Sequence, residues 1–459
     1  MLFTQTTMPR FELKQSTRHI TSHAGLFLIG QCLAAAGFHR IDKLFPVAKG
    51  QIRTSDIIKS YIGLLALGKS DFDAIEGFRN DSFFKEALQI KKVPSSAWLR
   101  QRMEQLAEDL REETDAFSVH LLKNAEAPIT AQSGYVCLDF DTFVMDNSGT
   151  KKEWVSRTYQ GVDGYTPIAA YLGNEGWCLA LELRPGSQHS ALETHYFLER
   201  VLPRARELAP VVAPVLSRSD SGFDAVRLLF QQDDEKRAWA EAGRRFEYLV
   251  KWNPRKQVMA DWVTRAHEAG AWREERPGKR VALLDLQVER SWHKAKRNFR
   301  LVVRLIERTI DKKGQALLFP DYQLEGWWTS LDEKPEKVIE LYCEHATHEQ
   351  FHSEIKSDLD LERLPSGKFD CNDLILHLAM LAYNSLRLIG QRGLLGEFSP
   401  VRHPAKRRRI KTVLQEIMYR AAQFIRKART LILDFGQHCP AFKAFVEVQG
   451  HLLEAGQSP

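Results

Sequence analysis

The chain has no Cys-x-x-Cys pair; its six cysteines, at 32, 137, 178, 343, 371 and 439, are scattered over 459 residues. That spacing argues against a zinc ribbon or a disulfide frame, and for reduced thiols in a cytosolic protein. No apolar run approaches the roughly 20 residues of a membrane span, so no membrane partner is expected. The opening MLFTQTTMPRFELKQSTRHI lacks the basic, apolar and small-residue layout of a secretion signal. What is present, 44% hydrophobic and 27% charged residues, is ordinary for a globular protein of about two to four domains.

Charge departs from the ordinary in its distribution. The net charge is only +6, but Arg402–Arg429 holds ten basic residues and one acid, including Lys406, Arg407, Arg408 and Arg409. Arg273–Lys313 holds thirteen basic and six acidic residues. Two such tracts point to a polyanion, most simply nucleic acid, although either alone is equally compatible with solvated surface.

Texture divides the chain into five parts. Residues 1–130 read as helical, with apolar residues spaced three and four apart in HAGLFLIGQCLAAAGF and SDIIKSYIGLLALG. Residues 131–253 read as three strands, helix, strand, helix, strand, an α/β mixed sheet with flanking helices. Residues 254–335 look like a separate β-rich insertion, and seven of the ten tryptophans fall between Trp239 and Trp328. Helical texture returns over 336–400 and continues through a basic helical segment, 401–459.

Carboxylates interrupt this pattern where they are costly. Asp139 and Asp141 lie two apart within the apolar strand GYVCLDFDTFVM and share a face. Asp220, in RSDSGF, falls just past the end of the fourth strand, where open α/β sheets carry functional groups. First and fourth strands can be neighbours in such a sheet, which would bring Asp141 and Asp220 together. A third acid from a later helix would complete a hard-oxygen site for Mg²⁺ or Mn²⁺. Taken alone, Ser-Asp-Ser-Gly is simply a good turn.

YCEHATHEQFHSEIK carries two competing patterns. His348-Glu349-x-x-His352 spells a zinc-protease motif, but a catalytic zinc needs a third protein ligand. Asp358 stands six residues beyond His352 and no Gly-x-x-His follows, though an acidic ligand farther on, such as Asp370 or Asp373, remains open. In one continuous helix Tyr342, Glu349 and Lys356 form a line with His345 and His352 beside it, and Phe351, Ile355 and Leu359 form an apolar stripe behind.

With these residues in view, the chain resembles the DDE transposases of bacterial insertion sequences. The branch is the one whose third acid lies in a Tyr-x₂-Arg-x₃-Glu-x₆-Lys signature, matched here by Tyr342, His345, Glu349 and Lys356. LDFDT resembles its first-acid strand, pointing to Asp141 with Asp139 in reserve, and RSDSGF resembles its second-acid motif around Asp220. DLDLERLPSGKFDCNDLILHLAMLAYN is similar to the segment that follows the signature in one subgroup. His345 departs from the pattern, replacing a permanently charged arginine with a group often neutral near pH 7.

The resemblance implies a ribonuclease-H-like core, a DNA-binding N-terminal domain, and cut-and-paste transposition of double-stranded DNA. Asp141, Asp220 and Glu349, with Asp139 as a further ligand, would hold two Mg²⁺ or Mn²⁺ ions. Tyr342, His345, Lys356 and Arg218 would contact phosphates, and Lys406–Arg409 would add salt-sensitive affinity. Trp327 or Trp328 would stack on a base, or else fill the core of the insertion. The partners implied are terminal inverted repeats and target DNA, with a homodimer joining two ends in the bacterial nucleoid. The alternatives are the zinc protease and a catalytically inactive, transposase-derived DNA-binding protein.

Overall fold

A central strand in a large sheet is buried on both faces, and VCLDFDT has the nearly continuous apolar character this requires. The computed structural model describes residues 11–311, 313–344 and 348–456. Its main sheet has nine strands: β1 Val136–Thr142, β2 Ile168–Leu172, β3 Trp177–Glu182, β4 Val215–Ser219, β5 Phe246–Lys251, β6 Trp272–Arg276, β7 Lys279–Trp292, β8 Ala295–Ile310 and β9 Ala316–Thr329. Their spatial order is β6-β7-β8-β9-β5-β4-β1-β2-β3.

The five core strands form the ribonuclease-H-like pattern. β1, β2 and β3 are antiparallel neighbours, whereas β4 and β5 run parallel to β1 on its other side. Two helices, α4 Thr194–Leu208 and α5 Val226–Glu241, make the crossovers that parallel pairing demands.

The tryptophan-rich strands continue the main sheet. β9 pairs with β5 through Trp327↔Lys251, Trp328↔Val250 and Thr329↔Leu249, so β6–β9 extend the core sheet. Several residues of their basic tract are paired within the protein, across strands or, for Arg297, with helix α5. Arg280 pairs with Glu307, Arg300 with Asp285, Arg304 with Glu325, and Arg297 with Asp233 and Asp234.

The terminal parts also interlock. Helices α1 Leu26–Ala35, α2 Thr54–Leu65 and α3 Arg111–Asn124 pack around α8 Phe369–Gly393, which in turn lies on β3. α8 is apolar almost all round, as a helix enclosed on every side must be. The segment after residue 401 is not wholly helical. A hairpin of Ala422–Lys427 and Thr430–Asp434 adds to Ile20–Thr21, and α9 Phe442–Ala455 stacks Phe445 on Phe27 of α1 at 5.9 Å. One apolar cluster therefore runs from Leu26 to Ala455. Among the described residues no helix is long and apolar enough to cross a membrane.

Candidate active site

β1 and β4 run in parallel with Asp139 opposite Arg218, the last of four paired positions. Carrying that register two residues further sets Asp141 against Asp220, both at the carboxyl ends of their strands. Asp220 caps the short turn Ser221–Phe223, its Oδ1 accepting the Gly222 N–H at 2.8 Å. Gly222 fits closely there: a Cβ would lie 3.0 Å from both that Oδ1 and the Ser190 hydroxyl. Asp141 accepts the Thr142 N–H at 2.7 Å, and the Thr142 and Ser190 hydroxyls meet at 2.9 Å.

The charges of both aspartates reach the same two phenols. Burial raises the Tyr342 hydroxyl above the ordinary tyrosine range, and Asp220, then Asp141 and Asp139, raise it further. Desolvation raises Tyr159 too, followed by Asp141 and then Asp220. Two carboxylates that act together on two phenols share one locality.

Asp139 has another task. Arg218 Nε and Nη2 donate to its two oxygens, each at 2.7 Å, in a pair almost wholly buried. Arg218 Nη1 also donates to the Leu341 carbonyl at 2.8 Å, which ties the sheet to helix α6, Pro335–Cys343, one residue before Tyr342. The expectation that Arg218 offers a DNA contact is therefore corrected: its donors are spent inside the protein. Asp139 is likewise engaged as an ion-pair partner.

Tyr342 and Glu349 lie on two helical segments, between which residues 345–347 fall outside the described residues. α6 ends at Cys343, α7 spans His348–Ser353, and the chain then widens into a π turn, Glu354–Asp358, that carries Lys356. The π turn, wider than an α-helix, takes Lys356 off the straight line expected for it with Glu349. Glu349 is exposed on α7, which rests against β1. Phe351, on another side of that helix, is buried against Tyr171 and beneath Arg407, with Gly176 leaving room for its ring. His352 is buried too, stacked on Phe143 at 4.3 Å, rather than exposed on a ridge. Lys356 pairs with Glu362 at 2.9 Å. His345 lies outside the described residues.

The other expected DNA contacts divide by burial. Trp327 and Trp328 are 1% and 0% exposed, the former beside Tyr342 and the latter donating to Asp224 at 2.9 Å. No face of either is open to a base; they are core residues. Arg407 donates to the Asn174 carbonyl and to Gln350, and Arg408 to the carbonyls of Leu394, Val401 and His403. Arg409 grips Asp358 with two nitrogens. Within that run Lys406 is exposed, whereas Arg407, Arg408 and Arg409 are half-buried. Sequence inspection passed over Tyr159; its place in a short Gly-bounded turn was visible, but not its nearness to the carboxylates.

Asp141 and Asp220 offer hard oxygens suited to a divalent cation. Among the described residues no group of three or more His, Cys, Asp or Glu is gathered closely enough to hold a metal by itself.

Comparison with known proteins adds three findings. A family model described as transposase DDE domain, group 1, matches residues 3–457. No curated protein sequence matches. Among solved structures, the chain is similar to a piggyBac transposase synaptic complex with hairpin DNA, at 9% identity and a TM-score of 0.41. That match covers 88% of this chain and 82% of the other.

Proposed function

Because the chain belongs to the DDE transposase family, whose model spans it almost end to end, we propose that its carboxylates cut and join DNA phosphodiesters. What supports this reading is the parallel pairing of β1 with β4 up to Asp139 opposite Arg218, a register that, extended two residues, would set Asp141 beside Asp220. Asp141, Asp220 and Glu349 would hold divalent cations, Mg²⁺ or Mn²⁺, in a pair. Bound there, such ions supply Lewis acidity and an activated water or 3′-hydroxyl.

The chain's own residues would do the rest. The Asp139–Arg218 pair fixes β1, β4 and the end of α6, so that the two ligand aspartates and Tyr342 keep their spacing. Tyr342, held protonated by burial and then by its acidic neighbours, would donate to a phosphate oxygen, with Lys356 supplying charge and His345 a further hydrogen bond. The substrates would be the terminal inverted repeats of a bacterial insertion sequence and its target DNA, brought together by a homodimer at the nucleoid.

Replacing Asp220 with Asn removes one ligand charge while keeping the turn's hydrogen bond. Mg²⁺-dependent nicking of a terminal-repeat duplex should then disappear, while DNA binding persists. Nicking at the wild-type rate would refute the assignment.

A further inference from the structure

One segment beside the carboxylates has no role in the account above. Strands Ser156–Arg157 and Asp163–Tyr165 form a small hairpin, joined by Met145–Asp146 into a three-stranded sheet. Its tip is tightly bonded. The Thr158 N–H and hydroxyl both donate to the Val162 carbonyl, at 2.9 and 2.8 Å, and the Gly161 N–H donates to Thr158 at 3.0 Å. Gly161 has φ +79°, which glycine adopts without strain.

The hairpin is also braced against the site. A Cβ on Gly186 would come within 2.2 Å of the Ser156 carbonyl oxygen and 2.4 Å of that of Gly164, so the two loops touch backbone to backbone. The Ser187 N–H donates to the Ser156 hydroxyl at 2.9 Å. Three residues on, Ser190 meets Thr142, next to Asp141, and closes on Gly222, next to Ser221 and Asp220. A rigid turn is thereby fixed to both carboxylate-bearing strand ends.

Tyr159 stands at the tip of this turn, 67% exposed. An exposed aromatic on a rigid support presents a preorganised face at little entropic cost. Its chemistry also suits the place. A lysine or arginine this close to Asp141 and Asp220 would collapse onto them as an ion pair. A neutral phenol keeps its donor for another acceptor.

We propose that Tyr159 is a substrate contact: its ring packs on the nucleoside next to the scissile phosphate, and its hydroxyl donates to a phosphate oxygen of the same strand. This deepens the phosphodiester reading and rests on it. Two measurements on the full-length protein test it. In the first, the inverted-repeat duplex bordering the coding sequence carries 5-iodo-deoxyuridine beside the cleaved bond, and is irradiated with wild-type protein in Ca²⁺. The cross-linked peptide should contain Tyr159; cross-links confined to other segments overturn the proposal. In the second, Tyr159→Ala should raise KM for cleavage on the order of tenfold with kcat changed less, and Tyr159→Phe should recover part of the loss. Wild-type kinetics in Tyr159→Ala also overturn it. If the wild-type protein does not cleave in Mg²⁺, the phosphodiester reading fails, and the cross-link still decides whether Tyr159 touches DNA.

Discussion

Asp139 and Asp141 are two residues apart on one strand, yet the structure sends them to different tasks. Asp139 faces Arg218 across a parallel pair and is neutralised by it in the interior. Asp141 lies at the strand end, half-buried, where its charge reaches Tyr159 and Tyr342. The spacing of the aspartates was legible in the sequence, but which one met a guanidinium was not, because that depends on strand register. Removing Arg218 alone would strand a buried carboxylate. Arg218→Met should cost about 3–5 kcal/mol of folding stability in urea denaturation, and adding Asp139→Leu should restore most of it. A loss below about 1 kcal/mol in the single variant would show that the pair is not buried as described.

At the scale of elements, basic residues conspicuous in sequence prove to be fastenings. Arg407, Arg408 and Arg409 join the segment after residue 401 to α7, to the π turn and to the end of α8. A run of Lys and Arg reads as DNA-binding because sequence shows the charges and hides their partners. Arg409→Ala should therefore lower the melting temperature, while leaving the salt dependence of DNA binding nearly unchanged. A flatter salt dependence with an unshifted melting temperature would return Arg409 to the DNA surface.

A second fastening joins α3, α4 and α8. His377 Nδ1 lies 2.5 Å from Asp115, Arg204 donates to the same carboxylate at 2.8 Å, and Arg111 pairs with Asp373 at 2.6 Å. Burial alone would push the His377 imidazole down, but Asp115, helped by Asp373, outweighs it and raises its pKa. A raised histidine stabilises the fold fully below its unfolded pKa of about 6.5, and the benefit fades as pH climbs through the higher folded value. Urea-unfolding free energies should fall over that range in the wild type and fall less steeply in His377→Asn. Parallel curves would remove His377 from the pH response.

Across the whole molecule, the ribonuclease-H-like strand order was readable, because hydrophobic runs and crossover helices restrict the topology to few choices. The partition into five successive parts was not. The N-terminal helices, α8 and α9 share one core, and the tryptophan-rich strands prolong the main sheet, both through contacts between residues far apart in the chain. Burial of Trp327 and Trp328 follows from that continuity, since the strand they occupy pairs with β5 instead of standing free.

The fold thus carries Asp141 and Asp220, from distant parts of the chain, on the carboxyl ends of adjacent strands, where the proposed divalent cation would bind. Fe²⁺ in place of Mg²⁺, with peroxide and ascorbate, generates hydroxyl radicals at the site and cuts the backbone beside the ligands. Mapping the fragments by mass spectrometry should place cuts near residues 141 and 220, with another near 349, all suppressed by excess Mg²⁺ and by Asp220→Asn. Cuts that map elsewhere, or that persist unchanged in Asp220→Asn, would contradict the account.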